Sequence, residues 1–145
     1  MKNGIIIVDH GSRRDESNQL LEEIASLFAK RFAAKYDIVE SAHMEIAESS
    51  IATAYSKCVQ RGATRIIVCP FFLGPGKHWT QDIPRLAAEA AQQHPHTTYH
   101  VTHPLGVDDL ILDLLEKRVR FCAEHEYVCD SCKGTIRCGS GAIKV

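Results

Sequence analysis

Gly4-Ile5-Ile6-Ile7-Val8-Asp9-His10-Gly11-Ser12 is an apolar run that stops abruptly at a polar tip. The β-branched residues Ile5 to Val8 predict a strand buried on both faces, because a half-exposed strand alternates apolar with polar side chains. Such a strand belongs inside a parallel sheet covered by helices. Asp9, His10 and Ser12 then fall at its carboxyl end, where open α/β sheets bind their ligands. Gly11 lets the chain turn tightly, and the amides after it, near a helix start, can receive an anion.

Taken alone, a histidine after a buried strand is more often a hydrogen-bonded loop residue than a ligand or base. A second stretch of the same design changes that balance. Arg65-Ile66-Ile67-Val68-Cys69-Pro70-Phe71-Phe72-Leu73 runs into Gly74-Pro75-Gly76-Lys77-His78-Trp79, again a strand followed by a glycine loop and a histidine. Two such loops at one sheet edge bring His10 and His78 together.

The rest of the chain supplies the alternation these strands require. Asp15 or Ser17 can cap a helix to about Ala34, with Leu20, Leu21, Ile24, Leu27, Phe28 and Phe32 as its buried stripe. Asp37 to Ile46 reads as the second strand. Ser49 or Ser50 caps a helix whose inner face carries Ile51, Ala54, Tyr55, Cys58 and Val59, and Gly62 closes it. Beyond His78, Thr80 is a fair N-cap for a helix to about Gln93, with Pro84 in or near its first turn. Thr97 to Thr102 is a fourth strand, and a last amphipathic helix starts near Asp108. The expected fold is α/β, a four-stranded parallel sheet flanked by helices on both faces, in the flavodoxin-like manner. Residues 1–121 form this domain and residues 122–145 an irregular cysteine-rich tail, loosened by Gly134, Gly139 and Gly141 and too poor in large apolar residues to bury a core.

Composition narrows the function classes. A chain of 145 residues with 45% hydrophobic and 24% charged residues is that of one soluble globular domain. The formal net charge of −1 gives no reason to expect nucleic acid or an anionic membrane as partner. No apolar run approaches a membrane span, and Met1-Lys2-Asn3 leads straight into a strand rather than a signal peptide. The expected location is the cytoplasm, or the plastid stroma if a transit peptide has been removed. Cys58 and Cys69 fall in core elements and read as small hydrophobes. Cys122, Cys129, Cys132 and Cys138 crowd the tail, where a reducing compartment favours a metal site over disulfides.

In Ser41-Ala42-His43-Met44-Glu45-Ile46-Ala47-Glu48 a regular strand places His43, Glu45 and Ala47 on one face, and Glu45 near its end can join His10 and His78. Two imidazoles and a carboxylate suit a divalent first-row transition metal and leave positions for an exchangeable ligand.

Asp9-His10-Gly11-Ser12 after the opening strand, Met44-Glu45-Ile46, and Pro70-Phe71-Phe72-Leu73 leading through Gly74-Pro75-Gly76-Lys77-His78 resemble the class II chelatases, most closely the short sirohydrochlorin chelatases. The resemblance spans roughly residues 4 to 120. It implies a lyase that inserts Fe(2+) into the tetrapyrrole sirohydrochlorin to form siroheme, or Co(2+) or Ni(2+) for related cofactors. It makes His10, Glu45 and His78 the catalytic and metal-binding residues. Ser12, Arg13, Arg14, Gly76 and Lys77 are placed to bind the substrate's carboxylates, although Arg13 and Arg14 read equally well as a solvated helix start. Single-domain members of such a family are expected to form homodimers, a second subunit deepening the cleft and covering Phe71 and Phe72. A non-catalytic tetrapyrrole or metal carrier is the alternative from another class, and an electron-transfer tail on an inert support a third.

The tail spacing, Cys122-x6-Cys129-x2-Cys132-x5-Cys138, matches neither the zinc nor the ferredoxin pattern well, and a glycine-rich segment in need of a staple favours zinc. Cys129-Asp130-Ser131-Cys132-Lys133-Gly134 resembles the terminal motif of plant-type sirohydrochlorin ferrochelatases. That resemblance implies a [2Fe-2S] cluster held by Cys129, Cys132, Cys138 and Cys122.

Overall fold

The computed structural model describes residues 1–74 and 76–138; Pro75 of the loop before His78, and Gly139 and Gly141 of the tail, lie outside the described residues. The backbone falls into two compact units, Met1–Gly106 and Val107–Val145.

In the first unit β1 (Asn3–Asp9), β2 (Ile38–His43), β3 (Arg65–Pro70) and β4 (Thr98–Val101) form one parallel sheet in the order β2-β1-β3-β4. β1 is central. Gly4 to Asp9 pair with Ile38 to His43 on one side, and Asn3 to Val8 pair with Arg65 to Pro70 on the other. Ile5, Ile6, Ile7 and Val8 are all buried, as an uninterrupted β-branched run requires. Each contributes roughly 1.5–3 kcal/mol of burial.

Alternation along the strands sends side chains into two cores. Ile6, Val8, Ile66 and Val68 meet α2 (Ile51–Gln60) and α3 (Ile83–Gln92) through Ile51, Ala54, Tyr55, Cys58, Ile83 and Ala87. Ile5 and Ile7 meet α1 (Asp15–Arg31) through Leu21 and Ala25 on the opposite face. Ser50 caps α2, its hydroxyl accepting the Thr53 N–H at 3.1 Å, and Gly62 follows the helix at φ +96°. Burial pushes the Cys58 thiol up to about 12 and also raises Cys69, so both stay neutral packing groups.

Several elements differ from the sequence expectation. α1 has Arg14 at its N-cap with no side-chain cap, in place of Asp15 or Ser17, because Ser12 and Asn18 already hold the loop backbone. Its buried line is Asn18, Leu21 and Ala25, while Leu20 and Leu27 stand exposed: the small Ala25 lets the helix approach the sheet along a narrower stripe than the apolar residues cover. β2 ends at His43 rather than Ile46, the chain turning through Ile46 at φ +74°. His78–Asp82 is a π-helical turn leading into α3, and the Thr80 hydroxyl donates to the Gly76 carbonyl at 2.9 Å rather than capping a helix.

The second unit contains α4 (Asp109–Glu124), with Asp108 as N-cap accepting the Leu110 N–H at 2.9 Å. In the tail after it Cys129, Cys132 and Cys138 are buried together, the gathering expected of cysteines on one metal but without Cys122, and they form a small core where the sequence predicted none.

Candidate metal centre

The site begins where β1 runs out of apolar residues. Asp9 turns its carboxylate back on its own backbone, Oδ1 accepting the Gly11 N–H at 3.0 Å. Gly11 takes φ +93°, and a Cβ there would collide with the Glu45 carbonyl oxygen. Only glycine lets the two chains approach this closely. The β1–β2 ladder continues beyond the strands: Met44 N–H donates to the Asp9 carbonyl at 2.8 Å and Glu45 N–H to the His10 carbonyl at 3.1 Å. Glu45 is thereby placed beside His10, with His10 Nε2 2.9 Å from Glu45 Oε1.

His78 arrives from the other side. β3 lies next to β1, and the loop after it places the His78 ring 4.8 Å from the His10 ring, centroid to centroid and steeply inclined. His78 Nδ1 is 2.9 Å from Asp82 Oδ2, one helical turn on, so the carboxylate fixes which nitrogen faces outward. The order β2-β1-β3-β4 makes the gap between the carboxyl ends of β1 and β3 the point where the chain's crossovers diverge, and there the imidazoles meet. The side chains of His10, Glu45 and His78 are all between 37% and 57% exposed, so the cluster opens to solvent and can exchange a ligand.

Among the described residues no group of three or more His, Cys, Asp and Glu side chains converges as a finished metal site. The donors pair with one another, His10 with Glu45 and His78 with Asp82.

Beside the cluster, Ser12 and Arg13 border a cavity of about 470 Å³ that Asp15, Glu22 and Glu48 make acidic. The Ser12 hydroxyl accepts the Arg14 N–H at 3.0 Å, and its backbone is clamped by Asn18, which accepts the Ser12 N–H at 2.9 Å and donates to its carbonyl at 2.8 Å. Arg13, Arg14, Gly76 and Lys77 are exposed. His43 does not share a face with Glu45 at the site, because the strand ends between them. It is 1% exposed and turned inward, with Nδ1 2.6 Å from Asp9 Oδ1. Sequence reasoning missed Asp82, His43 and Asn18 as partners. Only Asp82 had a legible signal, its spacing of four from His78 on a helix.

In the second unit Cys129 Sγ and Cys132 Sγ are 3.8 Å apart. Two thiolates on one tetrahedral metal, with bonds of about 2.3 Å, stand about 3.8 Å apart. The Ser131 hydroxyl at 3.1 Å, with backbone hydrogen bonds from Cys132 and Ser131, lowers the Cys129 thiol to about 7, toward the thiolate a metal needs. Cys138 shares the cluster, its Sγ 3.4 Å from the Tyr127 carbonyl, while Cys122 lies on α4 outside it.

Fold and cluster together define a parallel α/β protein with an imidazole–carboxylate group at the switch point of its sheet. The CbiX family model matches residues 4–121, and the chain belongs to this family of class II chelatases. It is 50% identical over 139 residues to the chloroplastic sirohydrochlorin ferrochelatase of Arabidopsis thaliana, covering 93% of this chain but spanning only 61% of that relative's length. Two solved structures share the fold. SirB from Bacillus subtilis with Fe3+ is 29% identical at a TM-score of 0.70, covering 83% of this chain and 47% of that one. The sirohydrochlorin chelatase SirB from Bacillus subtilis subspecies spizizenii in complex with cobalt is 30% identical at a TM-score of 0.71, covering 85% and 52%.

Proposed function

We propose that this chain is a sirohydrochlorin ferrochelatase, inserting Fe(2+) into sirohydrochlorin to give siroheme, with residues 1–121 carrying the chemistry. The observation that carries the reading is the meeting of His10, Glu45 and His78 at one sheet edge. Insertion breaks two pyrrole N–H bonds, forms four metal–nitrogen bonds and releases two protons as the dication enters. A neutral imidazole near pH 7 can hold a divalent metal or accept a proton, and the site offers two of them. Glu45 supplies negative charge to hold the incoming ion, and the cation displaces the His10–Glu45 hydrogen bond on entry. Asp82 keeps the His78 ring oriented for either task. Ser12, Arg13, Arg14 and Lys77, with the amides near Gly76, then receive the macrocycle's carboxylates; the exposure of Arg13, Arg14 and Lys77 supports this placement.

Of the two phenylalanines expected at a subunit interface, Phe72 packs against the core, but Phe71 and the neighbouring Leu73 stand exposed, which supports a homodimer whose second subunit covers them over a flat macrocycle. Sedimentation showing only monomer at micromolar concentration would reject it. The separation of the Cys129 and Cys132 thiols and the acidity of Cys129 support a [2Fe-2S] cluster on Cys129, Cys132, Cys138 and Cys122, with zinc as the competing occupant. When bound, the cluster supplies one-electron redox chemistry, which insertion of a dication does not use; its role is regulatory or stabilising. No described helix is long and apolar enough to cross a membrane, and the chloroplastic relative supports the plastid stroma or the cytoplasm as the place of action.

The test is an anaerobic assay with sirohydrochlorin and Fe(II), Co(II) or Ni(II), following the absorption change against the spontaneous rate. Fe(II) should be inserted fastest, and His10→Ala and His78→Ala should each lose about 100-fold or more. Preference for Co(II), favoured by the cobalt-bound relative, would make the chain a cobaltochelatase. Stoichiometric binding without turnover would make it a carrier.

A further inference from the structure

Directly beneath the cluster is a buried histidine that the chemistry above leaves unused. His43 is 1% exposed, and its Nδ1 lies 2.6 Å from Asp9 Oδ1. With a carboxylate as partner, Nδ1 donates to Asp9, and Nε2 is the ring's other polar atom. That Nε2 is buried and has no hydrogen-bond partner among the described residues. An apolar side chain would fill this space without stranding a polar atom, so packing alone gives no reason for histidine here.

What distinguishes His43 is where its connections end. Asp9 Oδ1, which it contacts, also accepts the Gly11 N–H at 3.0 Å and so sets the turn that presents His10. The His43 backbone N–H donates to the Ser49 carbonyl at 2.7 Å, closing the loop that carries Glu45. Its Cβ sits 3.2 Å from where a Gly11 Cβ would be, filling the floor between the two arms. One residue therefore holds the His10 turn with its side chain and the Glu45 loop with its backbone.

We infer that Asp9 and His43 act as one positioning unit, fixing His10 and Glu45 at the separation a divalent cation needs before it is handed to the macrocycle. This rests on the proposed chelatase reading. The residues are positioning residues, since neither reaches the reacting atoms. Partners of this kind, one shell behind metal-binding groups, commonly govern 10–100-fold in metal affinity.

The test measures Co(II) affinity by titration, steady-state insertion and thermal midpoint for wild type, His43→Phe, His43→Asn, Asp9→Ala and the Asp9→Ala/His43→Phe double variant. His43→Phe should weaken Co(II) binding and lower kcat by about tenfold or more in protein that remains folded, whatever the shift in midpoint. His43→Asn, whose amide can donate to Asp9 from near the Nδ1 position, should recover most of the loss. The double variant should be no worse than the poorer single, as expected of a unit. A purely structural His43 would lower the midpoint of His43→Phe and leave affinity and kcat at wild-type values, which overturns the inference; so do additive losses in the double variant. Should His43→Phe fail to fold, Asp9→Ala and His43→Asn pose the same question at a part-exposed strand end and with a donor kept. Wild type that binds Co(II) but inserts nothing refutes the chelatase reading alone, whereas wild type that binds no Co(II) refutes both.

Discussion

Replacing Gly11 by alanine tests how the cluster is assembled. Gly11 is at φ +93°, and the space its Cβ would need is occupied by the Glu45 carbonyl oxygen. The left-handed backbone by itself costs an L-residue about 1–2 kcal/mol. The collision adds something strain does not: the His10 turn and the Glu45 loop must move apart, by on the order of 1 Å, and a misplacement of that size costs about 100-fold in rate. Gly62 supplies the control. It has nearly the same φ, +96°, but a Cβ there would meet only the Lys2 Cδ at 3.7 Å, and it closes α2 rather than lining the site. Gly62→Ala should therefore lose only the backbone increment in urea titration, and Gly11→Ala more, because its clash is with backbone. Gly11→Ala alone should lose about 100-fold in metal insertion and bind Co(II) more weakly. Equal insertion rates in the two variants would show that the close approach of the two loops does not set the geometry of His10 and Glu45.

Three further expectations follow from single contacts. Asp82→Asn, which weakens the hold on His78 Nδ1, should reduce insertion about tenfold with little change in melting temperature; steady-state kinetics and a thermal scan decide this. Cys58 has a folded pKa raised from 9.0 to about 12, so its contribution is intact below pH 9 and declines by about 1.4 kcal/mol per pH unit as pH rises through that window; Cys58→Ala should flatten the decline in denaturant titrations between pH 9 and 11. For the tail, protein purified without oxygen should be brown and contain inorganic sulfide, and Cys132→Ser should lose both while keeping wild-type insertion; zinc without sulfide would refute the iron–sulfur assignment.

The local sequence determined the elements that bury apolar surface on a fixed period. Ile5 to Val8 could only be an interior strand, Ile66 to Cys69 its neighbour, and Ser50 and Gly62 bracket α2, because caps and β-branched runs act over a few residues. The pairing of His10 with His78 was legible for the same reason: both follow buried strands that a parallel sheet must end on one edge. Residues whose role depends on distance across the fold were not legible. His43 looked like a companion of Glu45 by strand alternation, yet β2 ends between them and the ring turns under the loop to Asp9, a contact 34 residues away in sequence. Leu20 and Leu27 carried the helical period but not the contact, since the position of Ala25 against the sheet selects which stripe is covered. The crowding of the tail thiols foretold that they would gather but not which of them: turns between Cys129 and Cys138 fold those three inward, while Cys122 stays on α4. Periodicity and caps are properties of neighbours along the chain; which buried polar group meets which is settled only when strand ends and loops share one volume.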